Sequence, residues 1–174
     1  TPGASKLYRS KEIFSKQNNY LNVNTGSLEW FPQEYIAFSG AYGINRTEVR
    51  LYRQAHFIGW EILCLGRPAA NEVFDKGKIS MRFDIWRDDK PLLFDNLKIK
   101  GVDRILTAAW GLRYYPCNAT FIASGVDQLL METLQNNVVL TGDAIAGMTR
   151  IEDVLICRFL GHQAAHAKEY FIQL

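Results

Sequence analysis

Three carboxylates stand among residues that should form a hydrophobic core. Glu61 lies in "GWEILCL" (residues 59 to 65) and shares a strand face with Phe57, Leu63 and Leu65; Asp95 shares one with Leu93, Leu97 and Ile99; Glu34 precedes Ile36 and Phe38. These groupings follow from the strand period, which puts residues i and i+2 on one face. A carboxylate removed from water is costly unless it is paired, bound to a metal or protonated. One solution is an internal ion pair, for which Arg46, Arg67 and Arg82 are the candidate guanidiniums. The other is a polar passage through an apolar body, or hard oxygen ligands for a divalent cation. The residues leave both open.

Other candidates carry less. His162 and His166 stand four apart in a segment with helical pattern, but the intervening Gln-Ala-Ala lacks the Glu of a zinc-protease motif, so the pair reads as solvent-exposed. His56 reads as a strand-end residue. Cys64, Cys117 and Cys157 are odd in number and widely spaced, indicating neither a disulfide framework nor a zinc knuckle and favouring a reducing compartment. The apolar neighbours of Cys64 are expected to raise its thiol pKa and leave it inert. Asn-x-Thr triplets at Asn45 and Asn118 read as chance sequons. No nucleophile elbow, phosphate loop or dinucleotide fingerprint occurs. A carboxylate pair for glycoside hydrolysis stays open, although no spacing selects it.

The elements that must position these residues are mostly strands. With 174 residues, 48% hydrophobic and 22% charged, the chain can bury one core. Lys and Arg total 20 against 18 Asp and Glu, a net charge of +2 that gives no electrostatic case for nucleic acid or a membrane surface. No stretch reaches the roughly 18 apolar residues that span a bilayer. From about residue 17 to 123 the pattern is that of strands. In "KISMRFDIW", Ile79, Met81, Phe83 and Ile85 alternate with Lys78, Ser80, Arg82 and Asp84; "RDDKP" then supplies a turn, predicting a hairpin over residues 78 to 99. "TEVRLY" alternates, whereas "FIGWEILCL" is apolar on both faces and should be central.

After residue 123 helical spacing appears. Ser124 and Asp127 resemble a capping box, and Val126, Leu129, Leu130 and Leu134 predict a helix over residues 125 to 136. Strands are expected at about 137 to 141 and 151 to 159. "HQAAHAKEYFIQL" then starts a second helix with Ala164, Ala167 and Phe171 on one face, running to Leu174 without a C-cap. The expectation is a mainly β, irregular multi-stranded fold with two α-helices toward the C-terminus. It forms one domain over residues 1–174, with a β-rich part at 1–123 and an α/β part at 124–174.

Five blocks carry a family resemblance. "TPGASKLYRS" (1 to 10), "SLEWFPQEYIAFSGA" (27 to 41), "GWEILCLGRPAANEVFDKG" (59 to 77), "FDIWRDDKPLLFDNLKIKG" (83 to 101) and "GMTRIEDVLICRFLG" (147 to 161) resemble, in order, those of the urease accessory protein UreD family, also called UreH. The resemblance implies a cytoplasmic, non-enzymatic maturation factor of mostly β fold. It implies binding to a UreF-type protein, which in turn binds the GTPase UreG, in an assembly that delivers nickel to apo-urease and can pair as a dimer of heterocomplexes. Nickel would be a transient passenger, with no tightly bound cofactor. Acidic residues lining a water-filled passage would then be Glu61 and Asp95, with Glu34 third.

The family's segment before "TPGASK", with a Gly-Gly-Asp motif, and its Trp- and Arg-bearing tail do not appear in this sequence. Residues 1–174 alone are therefore expected to expose sheet edges and to bind a UreF-type partner weakly. Two other readings compete: a β-sheet hydrolase using two of the carboxylates, and a β-sandwich binding module whose carboxylates sit in structural ion pairs.

Overall fold

A computed structural model describes residues 3–174. The alternating segments form strands β1 (Ser5–Leu7), β2 (Ser15–Val23), β3 (Ser27–Trp30), β4 (Tyr35–Ala37), β5 (Ala41–Leu51), β6 (His56–Leu65), β7 (Gly77–Arg87), β8 (Lys90–Lys100), β9 (Cys117–Ser124), β10 (Ala144–Ile151) and β11 (Val154–Gly161). Helices α1 (Gln128–Asn137) and α2 (Ala164–Phe171) fall toward the C-terminus, so the protein is mainly β as expected.

The strands make two sheets. One has the order β1-β4-β6-β9-β11-β10, with β3 also on β6; the other has the order β2-β5-β7-β8. The hairpin expected over 78 to 99 is β7–β8, paired from Lys78↔Lys100 to Arg87↔Lys90. Asp88 and Asp89 both take positive φ, 46° and 59°, the backbone that a two-residue hairpin turn of matching twist requires.

Strand β6 is central, as its two apolar faces predict. Its even-numbered Trp60 and Ile62 pack with Phe121, Leu155 and Phe159 beneath Met131 and Leu134 of α1 and Ala167, Tyr170 and Phe171 of α2. Its odd-numbered residues face the second sheet. There the core is split in two. One cluster holds Leu63, Leu65, Ile79, Met81 and Ile99, the other Phe57, Val49, Ile85, Leu93, Ile122 and Ile156.

On its free side β6 meets two short strands laid end to end. β3 pairs with His56–Gly59 and β4 with Leu63–Leu65, both parallel to β6. Residues 31 to 34, "FPQE", leave the ladder between them, opposite Trp60, Glu61 and Ile62. Pro32 has no N–H to give a ladder. Its carbonyl instead accepts the Trp60 indole N–H at 3.0 Å.

Three boundaries differ from expectation. Helix α1 begins at Gln128 because Asp127 is itself the N-cap, its Oδ1 accepting the Leu130 N–H at 2.8 Å. Ser124 serves elsewhere, its Oγ accepting the Phe57 N–H at 2.9 Å. Residues 137 to 141 form no strand, although Val138 and Leu140 do pack on the core. The Val139 N–H and C=O are satisfied by the Gln173 side-chain amide, at 3.1 and 3.2 Å, so no neighbouring strand is needed. The strand after α1 is instead β10, which forms a hairpin with β11. His162 precedes α2, so His162 and His166 do not share a helix.

Phe171 is 1% exposed and its ring lies 5.6 to 6.3 Å from those of Trp60, Phe121 and Phe159. Phe171→Ala is expected to cost about 3–5 kcal/mol. A lowered midpoint of urea unfolding, followed by tryptophan emission, is the check.

Candidate functional site

A belt of polar side chains separates the two inter-sheet clusters. Along β5 the inward residues run Gly43, Asn45, Thr47, Val49; along β9 they run Asn118, Thr120, Ile122; β8 contributes Asp95 and β11 contributes Arg158. Glu61 of β6 lies in this belt, directly across the ladder from Thr120. Each residue arrives through strand alternation, because the belt is the inward position at the same level of successive strands.

Glu61 is held by neutral donors. Its Oε1 accepts from Asn45 Nδ2 at 3.0 Å and from the Thr47 hydroxyl. Asn19 of β2 donates in turn to Thr47 Oγ1 at 3.0 Å and Asn45 Oδ1 at 3.4 Å, and Gln17 donates to Asn19 at 3.3 Å. Among the described residues no Lys, Arg or His forms an ion pair with Glu61, whereas Asp95 and Glu34 each have one. Burial, with a smaller contribution from the Asp95 charge, pushes the Glu61 carboxyl up to about 7 against the hydrogen bonds from Thr47 and Asn45.

Cavities reach Glu61 from both sides. One of about 170 Å³ is lined by Asp95, Asn118, Thr120 and Arg158 as well as Glu61. Another of about 510 Å³ is lined by Gln17, Asn19, Asn45 and the "FPQ" residues Phe31, Pro32 and Gln33, again with Glu61. Glu61 and Met81 belong to both walls. The break between β3 and β4 supplies the second mouth, since the chain that leaves the ladder there forms its rim.

The UreD urease accessory protein family model matches residues 1–174. The chain belongs to the UreD family. It is 46% identical over 163 residues to "Urease accessory protein UreD" of Alcanivorax borkumensis, covering 92% of this chain and 55% of that protein. It is 39% identical to the Aliivibrio fischeri MJ11 protein of the same name, over 94% of this chain and 60% of the relative. It is 38% identical to "Urease accessory protein UreD 2" of Brucella anthropi, over 98% and 63%. The chain thus spans 55 to 63% of the length of these curated relatives. Their names describe accessory proteins and not enzymes. No helix among the described residues of this UreD-family chain is long and apolar enough to cross a membrane.

The expected carboxylates fall in two places. Glu61 and Asp95 line one cavity, but Glu34 lines neither and lies on the α2 side of the first sheet, its Oε2 accepting from Lys168 Nζ at 2.7 Å. Burial raises the Glu34 pKa, and the Lys168 hydrogen bond and charge outweigh it, leaving the carboxyl below its ordinary value. The expected guanidiniums are not the partners. Asp95 pairs with Arg158 across the sheets at 2.9 Å. Arg46 and Arg82 occupy even positions of β5 and β7 and face outward, where they bind Asp84 and Glu48; Arg67 binds Glu72. His162 contacts Asp143 Oδ2 at 3.0 Å and does not converge with His166 on a ligand. Among the described residues no three His, Cys, Asp or Glu side chains converge as a metal cage.

Sequence reasoning missed Asn45, Thr47, Asn118, Thr120 and Arg158. The signal was present in the two Asn-x-Thr triplets, since on a strand such a triplet sets an amide and a hydroxyl on one face. Chemically, the belt offers amide, hydroxyl and carboxylate oxygens and one carboxyl able to change protonation near neutral pH.

The Glu61 shift has a sign for stability. Its folded pKa lies above the unfolded value of 4.5, so its contribution is fully present below pH 4.5 and is lost as pH rises through about 7. The loss is on the order of 3 kcal/mol. Glu61→Gln keeps an acceptor for Thr47 and Asn45 and is expected to abolish this slope, making the variant more stable than the parent at pH 8. Urea titrations from pH 4 to 8 test it, and equal slopes for parent and variant would refute the assignment.

Proposed function

We propose that this chain is part of a urease accessory protein through which nickel(II) passes on its way to apo-urease. The observation that carries the reading is Glu61, a carboxyl without a cationic partner among the described residues, which belongs to the walls of two cavities on opposite sides. Nickel is cargo here. Glu61 and Asp95, with the Asn and Thr oxygens of the belt, would meet the hydrated ion through its water shell. Two carboxylates without a closed cage favour contact that is weak enough to release the ion. Because a carboxyl must lose its proton to bind a cation, nickel entry would displace the Glu61 proton.

The partners of this reading are a UreF-type protein, a UreG-type GTPase and apo-urease, in a cytoplasmic assembly. UreD family membership supports it, and so do the accessory-protein names of the relatives. Glu34 has a separate role, joining the "FPQE" segment to α2 through Lys168.

The test uses the full-length protein with its maturation partners. Glu61→Gln combined with Asp95→Asn is expected to leave co-purification with the UreF-type and UreG-type proteins intact while urease nickel content and activity fall severalfold at ordinary nickel supply. Normal nickel loading of urease by the double variant would reject the passage reading.

A further inference from the structure

The number and spacing of the cysteines indicate no disulfide framework, and the apolar neighbours of Cys64 predict an inert thiol. In the structure Cys64 and Cys117 are direct cross-strand partners at the end of the β6–β9 ladder, with side chains on the face covered by α2. The Leu65 N–H donates to Pro116 O at 2.8 Å, so the adjacent Leu65–Pro116 level is the hydrogen-bonded one. The Cys64–Cys117 level is therefore the close, non-hydrogen-bonded kind, with Cα atoms about 4.5 Å apart. That separation lies within the range that a disulfide bridges. The thiols are close enough to shift each other's pKa, and both are free. Cys64 is half-buried and Cys117 is buried.

The two thiols are not equivalent. The interaction with Cys117 lowers the Cys64 pKa against burial and the nearby Glu34 charge, while the same interaction and burial raise that of Cys117. This corrects the expectation that apolar neighbours alone would govern Cys64. Cys157 stands apart, opposite Phe121 on β9 and in contact with Tyr170.

We propose that Cys64 and Cys117 are a redox modification site, closed to an intrachain disulfide by a low-molecular-weight disulfide and reopened by thiols. Cys64 Sγ, as thiolate, attacks one sulfur of the oxidant; its S–S bond breaks, one thiolate leaves, and a mixed disulfide remains on Cys64. Cys117, deprotonated by the leaving thiolate or solvent, then attacks Cys64 Sγ and expels the second thiolate. Two protein thiols lose two electrons and two protons, and the oxidant becomes two thiols. The partly exposed Cys64 is the entry point; Cys117 needs only to reach its neighbour. The bond would staple β6 to β9 just before Leu65 and Pro116, which line a cavity of about 600 Å³ with Phe74, Leu106, Tyr114 and Tyr115.

The experiment treats the folded full-length protein with oxidised glutathione and reads intact mass and a non-reducing peptide map. The expected result is loss of two hydrogens and of two free thiols per chain, a crosslink between the peptides holding residues 64 and 117, and reversal by dithiothreitol. In Cys117→Ser the glutathione adduct should persist on Cys64. A stable adduct on Cys64 of the parent without an internal bond, a link to Cys157, or no reaction at Cys64 would each overturn the proposal. None of these outcomes depends on nickel transfer, so the modification site and the proposed function fail separately.

Discussion

The half-buried place of Glu61 between the sheets sets the terms for the structure around it. A carboxylate in that position must be hydrogen-bonded, protonated or paired, or its desolvation weighs against the fold. Here Asn45 and Thr47 on the facing strand bond it, Asn19 bonds them in turn, and Thr120 lies opposite on β9. The consequence is a polar level running through the sandwich, with a separate apolar cluster at each end. Both clusters are needed to hold the sheets in register on either side of a level that contributes little hydrophobic attraction.

Strand β6 can carry such a residue because its other face is fully used. Trp60 and Ile62 lie under Phe171 and the rest of the helical layer, and that packing anchors the strand. The same strand also needs an opening. Splitting its edge partner into β3 and β4, with Pro32 at the break, gives Glu61 a path to solvent without loosening the ladder above or below. Trp60 ties the break down by donating to Pro32. A rigid level and an accessible one are thus compatible within a single strand.

Period-two patterning made much of this legible. The β7–β8 hairpin, the central place of β6 and the inward carboxylates of β6 and β8 follow from alternation and turn chemistry, and the two late helices from helical spacing. What alternation cannot report is which strands become neighbours. Arg46 and Arg82 looked like partners for the acids between the sheets, but they lie on the other face of the second sheet and pair there with the buried Glu48 and Asp84, and Arg158, far along the chain, proved to be the residue opposite Asp95. Residues 137 to 141 failed for a different reason: their apolar run resembles a strand, but Gln173 supplies the backbone bonds locally. Asn45–Thr47 and Asn118–Thr120 were visible as triplets, yet their meaning required knowing that β5 and β9 both face Glu61.

The three carboxylates singled out by their apolar surroundings end in three electrostatic settings. Glu34, with Lys168, is held charged, and its ion pair fixes a helix against a loop. Asp95 faces Arg158 at the margin of the sandwich, where both retain contact with water. Glu61 alone is bonded by neutral groups. An arginine bonded to it would lower its pKa and hold a fixed positive charge at the carboxyl; Arg158, which lines the smaller cavity, is bonded to Asp95 instead. Neutral amides and hydroxyls leave the carboxyl poised near neutrality, so its negative charge can be drawn out by an arriving cation and quenched again by a proton. On the proposed reading Arg158 is engaged by Asp95, no cation among the described residues is bonded to Glu61 itself, and the hydrogen bonds from Asn45 and Thr47 are what make that arrangement tolerable to the fold.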